Sequence, residues 1–387
     1  MELKLRKKDI DIIIPSAHRT EQLQRLLYSI AKFVPCKDRI NIIIVEDCSP
    51  YYFSKVPIVE WFKNTFDILF IHNESQQGPG GSRHIGLQQA VSDFVLFMDD
   101  DDTICYDIVT LLDKDADIIS TMSFHNGSLY VRPETVAASL NSLIFKREFI
   151  EGIDYPIQHL VHGQEDAVLR VLSFLKTTNI KMDHEHIFYD RCSEESFYSN
   201  WYLDYPYPLK SDLFDLTLFV SHLLYFCSTN DVEIKNKNTL ARLIIWSAGQ
   251  LIILSNEPQS YMGTESYYIF LSWIRYLLKY ADIDTIDLIR KNSRNNADIG
   301  KLVLEILKST KLTGGVLEFI VSAMDLQFHM VDEQGISIWA NMWKKMSKEC
   351  TIFIPYIELA RTWSYHYYEH QVVLNGKNGT PGDNNQR

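Results

Sequence analysis

The chain has 387 residues, 46% of them hydrophobic and 23% charged, the balance of a folded protein that is long enough for more than one hydrophobic core. A formal net charge of −12 speaks against a general nucleic-acid binder, and six scattered cysteines without a CxxC spacing exclude a zinc module or a disulfide framework. No long apolar stretch follows the opening MELKLRKKDID, so no signal peptide is expected and a cytosolic location is.

Short runs rich in β-branched residues predict strands at 10–15 (IDIIIP), 40–47 (INIIIVED), 66–73 (FDILFIHN), 94–100 (FVLFMDD) and 116–121 (ADIIST). Between them, helical spacing predicts a helix over 21–33, with Leu23, Leu26, Leu27 and Ile30 on one stripe, and another over 82–91, with Ile85, Leu87 and Ala90. Strand and helix in alternation imply an α/β fold with a mainly parallel sheet, whose ligands sit at the carboxyl ends of the strands. That rule gathers PSAHR (15–19), EDCS (46–49), HNE (72–74) and the acids at 99–102 along one rim.

Those four acids are the unusual feature, because five apolar residues run straight into them. Two like charges about 4 Å apart repel by roughly 4 kcal/mol at an effective dielectric near 20. The cluster therefore calls for solvation, for use as a helix cap, or for a cation. The segment GPGGSRHIG (78–86) lacks the Walker lysine and does not match GxGxxG; its glycines predict a tight turn into a helix from about Ser82, whose N-terminus favours an anion. A second acidic pair, Glu165-Asp166, opens the helical pattern EDAVLRVLSFL, where acids serve either the helix dipole or proton transfer.

From about Trp201 the pattern becomes all helical, with helices expected at 209–227, 237–254, 265–280, 300–309, 316–324 and 337–346. The expected domains are an α/β unit over 1–199, a helical unit over 200–370 and a polar, disordered tail over 371–387. The most apolar helices, at 213–227 and 240–254, fall short of the roughly 20 residues needed to cross a bilayer. Trp246, Trp273, Trp339, Trp343 and Trp363 are expected in the core of the helical unit, or else on an acceptor groove, a self-association contact or a membrane-facing surface.

The series DIIIPSAHRTEQLQRLLYSI, NIIIVEDCS, NESQQGPGGSRHIGLQQA, DFVLFMDDDDT and HGQEDAVLRVL, over roughly residues 9 to 200, resembles the family 2 glycosyltransferases of the GT-A fold. The resemblance implies an inverting enzyme that moves a sugar from a nucleotide-sugar donor, a UDP-sugar by the uridine-using relatives, to a hydroxyl of a glycan or lipid-linked glycan in bacterial surface-polysaccharide synthesis. It implies Mn²⁺ or Mg²⁺ as cofactor, because oxygen-only ligands favour a hard cation. On these residues it implies that Asp101 and Asp99 bind the metal, that Asp99 and Asp100 approach the ribose or metal-bound water, and that Asp102 supports them. By the same resemblance Asp47 hydrogen-bonds the nucleobase, Pro15 and Ser16 border it, and Arg83 lies near the donor. Ala17 departs from the pattern, standing where many relatives carry an aromatic residue that stacks on the base.

Asp166 is implied as the general base and Glu165 as its orienting neighbour. His186 or His184 is implied as a further metal ligand, or else as an ordinary strand-edge histidine, and Arg191 and Ser196 as closing over the phosphates. Competing classes are a sugar nucleotidyltransferase, whose glycine-rich loop after the first strand is missing, and a carbohydrate-binding scaffold without turnover. The helical unit is expected to serve acceptor access or assembly into homo-oligomers, with peripheral membrane association.

Overall fold

A computed structural model of the chain describes residues 5–17, 19–48, 53–75, 77–125, 128–131, 140–153, 165–191, 232–256 and 261–292, with six further positions between 219 and 227. The expected connector at 200–212, the helices at 300–309, 316–324 and 337–346, the tail, Ser196, Trp339, Trp343 and Trp363 lie outside the described residues. The chain divides into two compact units, one of Met1–Lys210 with Val232–Thr239, the other of Ser211–Asp231 with Leu240–Arg387. The first unit thus reaches past the expected break at 199 and takes back a later segment. Backbone hydrogen bonds explain the return: the amides of Lys235 and Asn236 donate to the Leu175 carbonyl, and the Asn236 side chain donates to Thr177 O at 3.0 Å.

The first unit is a nine-stranded sheet in the order β3-β2-β1-β4-β8-β6-β9-β5, with β7 paired to β6. The strands are β1 (Ile10–Ser16), β2 (Ile40–Asp47), β3 (Asp67–Asn73), β4 (Phe94–Phe97), β5 (Thr103–Ile104), β6 (Ile118–His125), β7 (Ser128–Val131), β8 (Leu143–Lys146) and β9 (Ile180–Arg191). β1 to β4, β6 and β9 run one way; β5, β7 and β8 run against them. Helices α1 (Thr20–Phe33), α2 (Val59–Lys63), α3 (Gly78–Gln88), α4 (Ile108–Leu111), α5 (Arg147–Glu151) and α6 (Glu165–Lys176) complete the unit.

β1 and β2 are buried along their whole length, as continuous apolar runs in a parallel sheet require. Leu23, Leu26, Leu27 and Ile30 form the buried stripe of α1. The fourth strand ends at Phe97, short of the expected Asp100, because the acids leave the sheet in a turn closed by Asp102 N donating to Asp99 O at 3.3 Å.

Helix α3 starts four residues before the expected Ser82 and takes the glycine run into its first turn. Gly78 has φ of 71°, a conformation that side chains rarely adopt. Gly86 serves close packing instead, since a Cβ there would lie 2.4 Å from Ile13 Cγ2 of β1 and 3.4 Å from Val45 Cγ2 of β2. Gly86→Ala is therefore expected to destabilise the unit by about 1–3 kcal/mol in urea unfolding, and a variant as stable as the parent would refute this packing.

A buried acid ties down the amino end of that sheet. Asp11 of β1 is fully buried, and its carboxylate accepts from Val91 N (2.6 Å), Ser92 N (2.8 Å), Ser92 Oγ (2.6 Å) and Asn41 Nδ2 (2.7 Å). It ties the α3–β4 connection to β1 and β2 at the amino end of the sheet, away from the functional rim.

In the second unit the described segments are helical: α7 (Lys237–Asn256), which begins in the first unit, α8 (Tyr261–Leu278) and α9 (Ile283–Asn292). Trp273 is fully buried and stacks on Tyr276 at 5.8 Å, whose hydroxyl donates to Cys227 O. Trp246 meets Phe219 edge-on at 6.0 Å. These two tryptophans are packing residues. No helix among the described residues is long and apolar enough to cross a membrane.

Candidate active site

The parallel arrangement of β1, β2, β3 and β4 brings Ser16, Asp47, Asn73 and the acidic turn to one rim. Asp99, Asp101 and Asp102 converge there, each offering a carboxylate oxygen within 4.8 Å of the others. Asp101 and Asp102 are buried, while the Asp99 side chain is 37% exposed and opens the cluster to solvent. Burial and the charge of Asp99 raise the Asp101 carboxyl above its ordinary range, against the pull of Arg19. Three converging carboxylate oxygens are a donor set suited to a hard divalent cation, and the residues present fit one.

The chain holds this turn with its own donors. Asn141, in the 3-10 turn Leu140–Ser142, donates its amide to Asp99 Oδ2 (3.0 Å) and Asp102 Oδ2 (2.5 Å), fixing the spacing of two of the acids. Arg83 of α3 donates to Asp99 Oδ1 at 2.6 Å, Arg25 of α1 to the Asp101 carbonyl at 2.7 Å, and Arg19 to Asp101 Oδ2 at 2.7 Å. Beyond the acids the chain continues as β5 and pairs with the end of β9, Thr103 opposite Asp190. That pairing brings the backbone of Arg191, the last residue of β9, beside the acidic turn.

Asp100 stands apart from the expected donor role. It is buried, it accepts from Ser16 Oγ at 2.7 Å and Arg19 at 3.2 Å, and it is not a member of the converging triad. Burial pushes its carboxyl up to about 7, against the attraction of Arg19. The unfolded chain ionises near 4, so the folded state keeps this proton longer. The stabilising contribution is then complete below about pH 4 and is lost as the pH rises through about 7. Asp100→Asn is expected to flatten the dependence of the urea midpoint on pH across that window in metal-free protein; an unchanged slope would contradict the assignment.

Ser16 thus holds an acid at the rim, with Pro15 beside it in β1. Asp47 caps helix α3, accepting from Gln77 N (2.8 Å), Gly78 N (2.7 Å) and Asn73 Nδ2 (3.0 Å).

The histidines do not join the metal group. His186 lies on β9, shares its Nδ1 with Asp183 at 3.1 Å and stacks on Tyr106 at 4.2 Å; His184 is exposed on the same strand. Burial would raise the Asp183 carboxyl, but hydrogen bonds from the His186 ring and the backbone of His186 and Glu185 together hold it below its usual range. Asp166 occupies the first turn of α6, half-buried, with Glu165 before it. Helix α6 packs against the turn that carries Asn141.

The family model for Glycosyl transferase family 2 matches residues 11–147, from β1 to the end of β8. Residues 11–147 thus carry a family 2 glycosyltransferase domain. Over 113 residues it is 30% identical to an uncharacterized glycosyltransferase of Haemophilus influenzae, covering 28% of this chain and 36% of that protein. It is also 24% identical over 318 residues to the poly(ribitol-phosphate) beta-N-acetylglucosaminyltransferase TarS of Staphylococcus aureus, covering 72% of this chain and 54% of TarS. The chain thus spans about half or less of the length of these relatives. The crystal structure of S. aureus TarS 1-349 in complex with UDP superposes with a TM-score of 0.54 at 17% identity, covering 78% of this chain and 90% of that one, a likeness of fold. Within this family 2 glycosyltransferase domain, motif reading finds the acids, Arg83 and Asp47 but misses Arg19, Arg25 and Asn141, whose partners lie 39 to 82 residues away.

Proposed function

We propose that the chain is an inverting, metal-dependent glycosyltransferase that moves a sugar from a UDP-sugar to a hydroxyl of a glycan or lipid-linked glycan acceptor in the making of a bacterial surface polymer. The observation that carries this reading is the convergence of Asp99, Asp101 and Asp102 at the carboxyl rim, beside Arg83, inside a family 2 domain. UDP is favoured as the nucleotide because TarS, similar in fold, was solved with UDP, and a polymer acceptor because TarS is named for poly(ribitol-phosphate).

Asp101, Asp99 and Asp102 would hold Mg²⁺ or Mn²⁺, which when bound supplies the positive charge that offsets a departing diphosphate. Arg83 adds its own charge on the diphosphate side. Pro15, Ser16 and Asp47 border the nucleobase. Asp166 accepts the proton of the incoming acceptor hydroxyl, a poor nucleophile until that proton leaves, and Glu165 holds the acceptor or the helix. A base that faces the anomeric carbon from the side opposite the diphosphate implies one displacement and an inverted anomer. The helical unit governs acceptor access or self-association, and work on a lipid-linked acceptor favours the cytoplasmic face of the membrane.

A thermal-shift panel of nucleotide sugars, with Mn²⁺ and with EDTA, tests this. A donor at 100 times its dissociation constant stabilises by about 2.7 kcal/mol. The expected result is a shift from a UDP-sugar that EDTA removes; no shift from any nucleotide sugar in the presence of Mn²⁺ would overturn the reading.

A further inference from the structure

Three of the four consecutive acids converge as candidate metal ligands, which leaves Asp100 outside the triad. Its partners give it another role. The side chain of Arg19, the residue before α1, makes no capping hydrogen bond to its own helix, and its guanidinium lies between Asp101 Oδ2 (2.7 Å) and Asp100 Oδ1 (3.2 Å). The closer contact is to Asp101, a member of the triad. On its other oxygen, Asp100 is held by Ser16 at 2.7 Å, so it stays in place whether or not Arg19 leaves Asp101.

A guanidinium and a divalent cation on one carboxylate repel each other, and both are attracted by the same negative charge. We infer that Arg19 is a resident counter-ion of Asp101 which the metal displaces, and that Asp100 is the site to which the guanidinium withdraws. On this account three acids serve the incoming cation and the fourth serves the arginine. Arg19 keeps the acidic turn from repelling itself when no metal is bound, and it sets the metal affinity lower than the triad alone would give. It acts through Asp101 and is a positioning residue.

The inference rests on the reading of the triad as a metal site, and the experiment separates the two. Free Mn²⁺ is titrated by electron paramagnetic resonance against the full-length metal-free chain, the Arg19→Met variant and Asp101→Asn. Arg19→Met is expected to melt at a lower temperature without metal, to bind Mn²⁺ roughly tenfold more tightly than the parent, and to gain a larger thermal shift from it. Asp101→Asn is expected to lose binding. If the parent binds Mn²⁺ and Arg19→Met binds it equally or more weakly, the counter-ion role falls while the metal site stands. If neither binds, the metal reading falls and takes this inference with it. Should Arg19→Met not fold, Arg19→Lys keeps the charge but loses the planar fork that spans two carboxylates. An affinity between those expected of parent and Arg19→Met supports the exchange, and one no tighter than the parent overturns it.

Discussion

Asp166→Asn is expected to lower sugar transfer by roughly 10²- to 10⁴-fold while leaving the donor KM within about twofold. The amide keeps the size and polarity of the carboxylate but cannot take the acceptor's proton. Its cost to the fold is small, because an acid in the first turn of a helix contributes only about 0.3–1 kcal/mol through the helix dipole. Asp166 opens α6, whose buried face from Ala167 to Leu175 anchors it independently of that charge. Steady-state transfer with a UDP-sugar and a glycan acceptor, alongside a melting curve, separates the roles. Transfer above about a tenth of the parent's in a folded variant would remove Asp166 as the base.

The second large effect concerns the opposite end of the sheet. Asp11→Ala is expected to destabilise the first unit by about 3–5 kcal/mol in urea unfolding, because it strips the acceptor from the Val91 and Ser92 amides, the Ser92 hydroxyl and the Asn41 amide, all at a fully buried carboxylate. Asp11→Asn keeps one acceptor oxygen and should recover part of the loss. The catalytic rim lies at the other end of β1, so donor affinity in the folded fraction should be unchanged. A loss below about 1 kcal/mol would show that water replaces the carboxylate there.

The apolar runs at 10–15 and 40–47 are legible as strands because burial on both faces leaves little room for polar residues, and the structure extends the first by only one residue. The same logic fails at β8, whose four residues are too few to show a period, although this strand joins β4 to β6 and follows the turn that carries Asn141. The glycine run misleads for a different reason. Gly78 to Gly81 resembles a loop by composition, yet Asp47 accepts the amides of Gln77 and Gly78 and so starts the helix four residues early.

The acidic cluster is visible in the sequence as a charge problem, but which acid does what depends on contacts made across the chain. Arg19 and Ser16 claim Asp100, and Asn141 binds Asp99 and Asp102 together. No local spacing encodes either choice. His186 shows the converse, a residue type suited to metal that the fold has paired with Asp183 and Tyr106.

The claim on which the rest depends is that the triad around Asp101 makes nucleotide-sugar turnover depend on a divalent cation. Release of UDP from a UDP-sugar, followed in the parent with Mn²⁺, in the parent with EDTA and in Asp101→Asn with Mn²⁺, tests it most directly. The account predicts turnover in the first case and at least a hundredfold loss in the other two. Turnover that survives in folded Asp101→Asn or in EDTA, or a parent that binds the donor with Mn²⁺ and an acceptor present and never releases UDP, would contradict it.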